Sequence, residues 1–320
     1  MSVNPPVANR VAICVCTYGR GNALSRLLAS MEDIDLTGYD PDAVELIVVD
    51  NRPDPATREL CLEAAGRLPL RLHYTEEAEP GITYARNRAV AVALERGASF
   101  VAFIDDDDQP RPDWLIRLLE CQASSGADLV FGSWTLDDQM PRWARESGIF
   151  RAPDKPKRKK GTGRYGLPEC ASTCNILAGR AILAKVAAGG PVFSHAFRFS
   201  GGEDKDFFLR ACELGAQVAS ATGSIVQRNH DPERYTTRGL LRRGFKNGCS
   251  RVNMASSHGG RGYRLRMLGS ALGKLAISLF FVPCAIVSRG FFMHHLYRMA
   301  KSCGVMYSSL TGRTINYYSS

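Results

Sequence analysis

Short, continuous apolar runs alternate with amphipathic stretches through the first 133 residues. Residues 11–16 (Val-Ala-Ile-Cys-Val-Cys) carry no polar break, which predicts a strand buried on both faces. A Gly-bearing turn follows, then an amphipathic helix over residues 22–31. The same alternation predicts strands over 44–50, 70–74, 99–104 and 127–133, and helices over 56–67, 86–96 and from Asp113-Trp114 onward. Strand–helix repetition of this kind predicts an α/β fold with a mainly parallel sheet and helices on both faces. Ligands of such sheets bind beyond the carboxyl ends of the strands, where Thr17, Asp50 and the run Asp105–Asp108 all fall.

Four consecutive aspartates directly after a buried strand repel one another. A divalent cation carrying an anionic ligand relieves that repulsion, because Mg²⁺ and Mn²⁺ prefer carboxylate oxygens and bridge protein to phosphate. The competing reading is a solvated acidic turn leading into the helix at Asp113-Trp114. The turn Gly19-Arg-Gly-Asn-Ala-Leu24 lacks the third small residue of a dinucleotide fingerprint, which argues against a Rossmann dehydrogenase. A haloacid-dehalogenase-like phosphatase is disfavoured too: its Asp-x-Asp belongs near the first strand, and here the aspartates follow a late one. Farther on, Gly201-Gly-Glu-Asp-Lys-Asp206 sets a glycine turn before an acidic helix start, where the helix dipole alone would favour carboxylates.

Taken in order, five blocks resemble glycosyltransferase family 2, the inverting enzymes of GT-A fold, and within it the bacterial polysaccharide enzymes of succinoglycan-biosynthesis type. They are Val11-Ala-Ile-Cys-Val-Cys-Thr-Tyr-Gly-Arg20, Leu46-Ile-Val-Val-Asp-Asn51, Glu79-Pro-Gly-Ile-Thr-Tyr-Ala-Arg-Asn-Arg88, Phe103-Ile-Asp-Asp-Asp-Asp108 and Gly201-Gly-Glu-Asp-Lys-Asp206. The resemblance implies a catalytic domain over 9–250, with a nucleotide-binding half (9–133) and an acceptor-binding half (134–250). It further implies that Thr17, Tyr18, Arg20, Asp50, Arg86, Asn87, Asp105 and Asp106 line the nucleotide site. Asp107, with His230, would hold Mn²⁺ or Mg²⁺; the fourth aspartate leaves one residue of ambiguity in that register. Asp204 would be the catalytic base and Glu203 its orienting partner or an acceptor contact, with Asp206 capping the helix. Asn175, Arg242 and Arg243 would face the acceptor. The implied activity is transfer of one sugar from a nucleotide sugar, a UDP-sugar first, to a lipid-linked or polysaccharide acceptor. The Gln-x-x-Arg-Trp motif of processive members is missing, which implies release after one addition. A nucleotidyltransferase, or a non-catalytic membrane-surface scaffold on the same fold, are the alternatives.

Charge changes the picture of the tail. From residue 229 to 320 there are 14 Lys or Arg against 2 Asp or Glu, whereas the whole chain of 320 residues is only +9. Residues 251–320 are expected to form a basic, helical, membrane-associated region. The uncharged stretch 275–288 is short for a span, which needs about 20 apolar residues. It fits an in-plane or re-entrant helix on an anionic leaflet, a buried hairpin, or a tilted span that would include Lys274. Phosphates of a polyprenyl-diphosphate acceptor would meet Arg238, Arg242, Arg243 and Lys246. The basic segment 153–163 reads as a solvated linker or a lid. The tail lacks interleaved stacking aromatics, so nucleic acid is not an expected partner. Ten scattered cysteines read as reduced core thiols, and the first residues carry no export signal, consistent with a peripheral or monotopic protein at the cytoplasmic face of the inner membrane, otherwise cytoplasmic.

Overall fold

The computed structural model describes residues 9–136, 140–150, 172–229, 231–258, 262–281, 288–313 and 315. The basic segment 153–163, His230 and the end of the 275–288 stretch lie outside them. The chain divides into two compact units. One comprises residues 1–135, 152–196 and 203–229; the other comprises 136–151, 197–202 and 230–320.

The first unit is built on an eight-stranded sheet of order β3-β2-β1-β4-β7-β6-β8-β5. Its strands are β1 (Val11–Thr17), β2 (Val44–Asp50), β3 (Arg71–Glu76), β4 (Phe100–Ile104), β5 (Asp108–Pro110), β6 (Leu129–Leu136), β7 (Asn175–Gly179) and β8 (Val218–Arg228). Side-chain alternation explains why the early strands are apolar throughout. Val11, Ile13 and Val15 pack with α1 (Gly21–Met31), α2 (Pro55–Ala65) and α4 (Trp114–Ser125) on one face. Ala12 and Cys14 pack on the other with α3 (Ile82–Glu95), α6 (Arg180–Ala187) and α7 (Glu203–Glu213). The expected parallel pairs are present: β1 runs parallel to β2 and β4, and β2 to β3. Beyond β4 the pairing turns antiparallel, β4 with β7, β6 with β7 and β5 with β8. Single-strand patterning does not contain that change of direction.

The second unit holds α5 (Arg142–Ser147), α8 (Thr237–His258), α9 (Tyr263–Phe281) and α10 (Arg289–Thr311). Helix α8 runs without interruption through the boundary expected at 250. Helices α8 and α10 approach closely because glycines face backbone at the crossing. A Cβ on Gly304 would lie 2.1 Å from the Phe245 carbonyl oxygen, and one on Gly248 2.2 Å from that of Lys301. Gly304→Ala is therefore expected to cost about 3 kcal/mol through overpacking, read as a lower denaturation midpoint.

Candidate active site

Parallel register brings the carboxyl ends of the strands together. Thr17 pairs with Asp50 across β1 and β2, and Cys14 with Phe103 across β1 and β4, so the aspartate run leaves the sheet beside Thr17. Asp106 turns inward, 4% exposed, and accepts hydrogen bonds from Thr17 Oγ1 at 2.9 Å and from Arg20 at 3.0 Å. Burial pushes its carboxyl up to about 6, with Arg20 pulling the other way. Arg20 also reaches Asp107 at 3.2 Å.

Asp105 is held between two arginines. Arg86 approaches Oδ1 at 3.4 Å and Arg228 approaches Oδ2 at 3.7 Å. Arg86 is buried and donates its other arm to Glu203 Oε1 at 2.6 Å. Arg228 stands opposite Asp108 in the β5–β8 pair, with Nε 3.6 Å from Oδ2 and its guanidinium over the Trp134 ring. An ionic chain thus runs Glu203–Arg86–Asp105–Arg228–Asp108. Along the aspartate run exposure alternates: the side chains of Asp105 and Asp107 are 35% and 19% exposed, those of Asp106 and Asp108 6% and 3%.

These contacts join five carboxylates to three guanidiniums. Oxygen-only donors on the accessible side, Asp105 and Asp107, fit a hard divalent cation. The ligand atoms of Asp105, Asp108 and Cys174 also lie within 4.8 Å of one another. That corner fits the metal less well: Asp108 is buried against Arg228, and burial pushes the Cys174 thiol up to about 12, keeping it protonated.

Helix α7 opens with Glu203, Asp204 and Asp206 in its first turn. Glu203 and Asp206 are buried, one on Arg86 and the other on Arg210 at 2.8 Å. Asp206 therefore lies inside the helix in an i,i+4 pair, where a capping position was expected. Asp204 is half-buried, accepts from its neighbour Lys205 N–H at 2.7 Å, and makes no ion pair among the described residues.

The family model for "Glycosyl transferase family 2" matches residues 12–184. The succinoglycan biosynthesis protein ExoM of Rhizobium meliloti (strain 1021) is 31% identical over 272 residues, covering 82% of each chain. The chain belongs to glycosyltransferase family 2. Solved structures share the fold of this family 2 enzyme at low identity. The mannosyltransferase PcManGT from Pyrobaculum calidifontis, in complex with GDP-Man and Mn²⁺, superposes with a TM-score of 0.56 at 16% identity, over 98% of this chain and 90% of its own. TarS 1–349 of S. aureus in complex with UDP gives 0.54 at 15% identity, over 95% and 92%. The architecture is the GT-A arrangement with a helical C-terminal region, and the protein is a glycosyltransferase.

Several residues expected at the glycosyltransferase site make structural contacts of their own. Asn175 is 2% exposed, and its amide is fully used: Nδ2 donates to the carbonyls of Ser133 and Ser224, while Oδ1 accepts from Trp114 Nε1 and Ser224 Oγ. These bonds tie strands to α4. Asn87 clamps the backbone of Phe193 at 2.8 and 2.9 Å, tying α3 to the segment after α6. Asp50 is fully buried, accepting from the N–H groups of Arg52 and Asp54 and from Tyr74 Oη, so it shapes the turn after β2. Tyr18 is 50% exposed at the end of β1, with the Arg52 guanidinium 6.0 Å from its ring. In the second unit Arg242 lines a cavity of about 410 Å³ with Leu241, Phe245, Lys246, Ala300 and Ile315, and Arg243 sits over the Phe150 ring. Two residues were not foreseen as parts of the site. Asn51 bonds Gly81 N–H and the carbonyls of Glu77 and Glu79, holding the start of α3, and Arg228 compensates two aspartates.

Proposed function

We propose that the protein transfers a single sugar, with inversion, from a nucleotide-diphosphate sugar to a lipid-linked or polysaccharide acceptor in cell-surface glycan synthesis. UDP is the diphosphate we expect. The relative named for succinoglycan biosynthesis supports the pathway class, and the UDP-bound TarS the nucleotide; PcManGT, bound to GDP-Man, shows that this fold also serves guanine. The observation that carries the reading is the division of labour among carboxylates. Asp105 and Asp107 are the accessible pair of the aspartate run, while Asp204 is the accessible acid of the first turn of α7, without a cation on it among the described residues.

In the reaction the acceptor hydroxyl oxygen bonds to the anomeric carbon, the bond to the diphosphate oxygen breaks with its electron pair, and the proton passes to Asp204. A divalent ion at Asp107, with Asp105 beside it, would supply charge neutralisation for the leaving diphosphate. Arg20 fixes Asp106 and Asp107 in register with Thr17. Arg86 keeps Asp105 and Glu203 in one ionic chain, so Glu203 acts as an orienting group for the start of α7. The cationic tail supports a peripheral position on an anionic membrane surface, and among the described residues no helix is long and apolar enough to cross a bilayer.

Calorimetric titration with UDP, GDP and dTDP, each with and without Mn²⁺, tests the donor site. One diphosphate is expected to bind, with metal-dependent affinity. Asp107→Asn is expected to weaken that metal-dependent binding by about a hundredfold, losing a charged ligand in a site of low dielectric. Equal binding with and without metal in both forms would refute the metal assignment.

A further inference from the structure

Helix α9 packs on one side only. Met267, Ala271 and Ser278 face inward, the first two joining Val252 of α8 and Val305 of α10 in one apolar cluster. At 3.6 residues per turn the opposite arc carries Leu265, Leu272, Ile277, Leu279 and Phe280. These are 75%, 49%, 49%, 53% and 76% exposed. Gly269, Gly273 and Ala276 lie between them, also exposed, and Ser270 borders the arc beside Ile277, so from Gly269 to Phe280 the arc holds no charged side chain. On this arc the large apolar side chains form one continuous stripe, and an exposed stripe of this kind marks a contact surface.

We propose that this outward arc of α9 is the element that enters an anionic lipid surface, with the helix lying in the membrane plane. The inference rests on the membrane-surface reading of the protein and names its contact. Charge selects the occupant. Residues 262–281 contain no acidic side chain, and Arg264 and Arg266 stand exposed at the first turn, where anionic headgroups would receive them while the apolar arc reaches the acyl boundary. A second copy is the poorer partner, because it would bring another tail of 14 Lys or Arg against the same region. The inward face is committed to α8 and α10, so α9 presents one side to lipid.

The test uses the full chain and co-sedimentation with vesicles of phosphatidylcholine, with or without phosphatidylglycerol. The wild type is expected to bind the anionic vesicles at least about tenfold more strongly than the neutral ones. The triple variant L265N/L272N/F280N, which adds no negative charge, is expected to lose at least about tenfold in vesicle binding, with nucleotide titration unchanged. Anionic-vesicle binding that survives the triple change would overturn the assignment to α9 while leaving the membrane reading intact. If the wild type binds neither vesicle, the membrane reading itself fails. A wild type that is dimeric by light scattering, and becomes monomeric in the triple variant without any change in vesicle binding, would assign the arc to a second copy. Should the triple variant not fold, Leu272→Trp serves instead. Vesicle-dependent quenching of its added fluorescence by brominated acyl chains supports the proposal, and absence of quenching sinks it.

Discussion

Asp204→Asn is expected to abolish transfer while leaving donor binding intact. The amide is the same size and keeps an oxygen for the Lys205 N–H, so α7 should start as it does now. What the amide lacks is the ability to take a proton from the acceptor hydroxyl, a contribution of about 10²- to 10⁴-fold in positioned general bases. Glu203 and Asp206 are poor substitutes, because each is buried and engaged by an arginine. The measurement pairs calorimetric donor titration with steady-state transfer to an acceptor extract. A fall in kcat with an unchanged donor dissociation constant supports the base assignment. Near-normal turnover would move the base elsewhere, and loss of donor binding would make Asp204 part of the nucleotide site.

The parts legible in the sequence are those whose physics is local. Strands β1, β2 and β4 are buried on both faces, so their patterns are continuous and their carboxyl ends, with Thr17, Asp50 and the aspartates, can be located from the pattern. The start of α3 was not local. The pattern suggested residue 86, yet the helix begins at Ile82, because Gly81 adopts φ 136° and its N–H is held by Asn51 from thirty residues upstream. Arg228 escaped for the same reason. Its partners are set by the antiparallel register of β8 on β5, far apart in the chain. A signal was present in principle: an arginine closing a strand otherwise free of charge needs a counter-ion, and the fourth aspartate was in surplus. Together they explain the run of four. Asp106 and Asp108 turn inward to Arg20, Thr17 and Arg228, while Asp105 and Asp107, also touched by arginines, are the alternate pair more open to solvent. The four hydrogen bonds of the Asn175 amide were likewise not legible, because a motif position does not reveal which partners an amide meets.

Removing Arg86 is expected to damage both the fold and the reaction, and the two effects can be separated. In Arg86→Met the carboxylate of Glu203, 5% exposed, is left buried without its guanidinium partner, and Asp105 loses the contact to Oδ1. Breaking one side of a buried pair costs about 3 to 5 kcal/mol, since the desolvation of the remaining charge is no longer offset. Denaturation of the variant should show a loss of that size, and transfer should fall by about a hundredfold as Asp105 and the start of α7 lose their common anchor. Adding Glu203→Leu removes the stranded charge. Because a buried ion pair can be exchanged for apolar side chains at little net cost, the double variant is expected to recover to within about 1 kcal/mol of the wild type. Transfer should remain low, because the orienting link from α7 to Asp105 is still missing. If the double variant regained both stability and turnover, Arg86 and Glu203 would be a packing pair only, and the ionic chain joining the acidic helix to the aspartate run would have no part in catalysis.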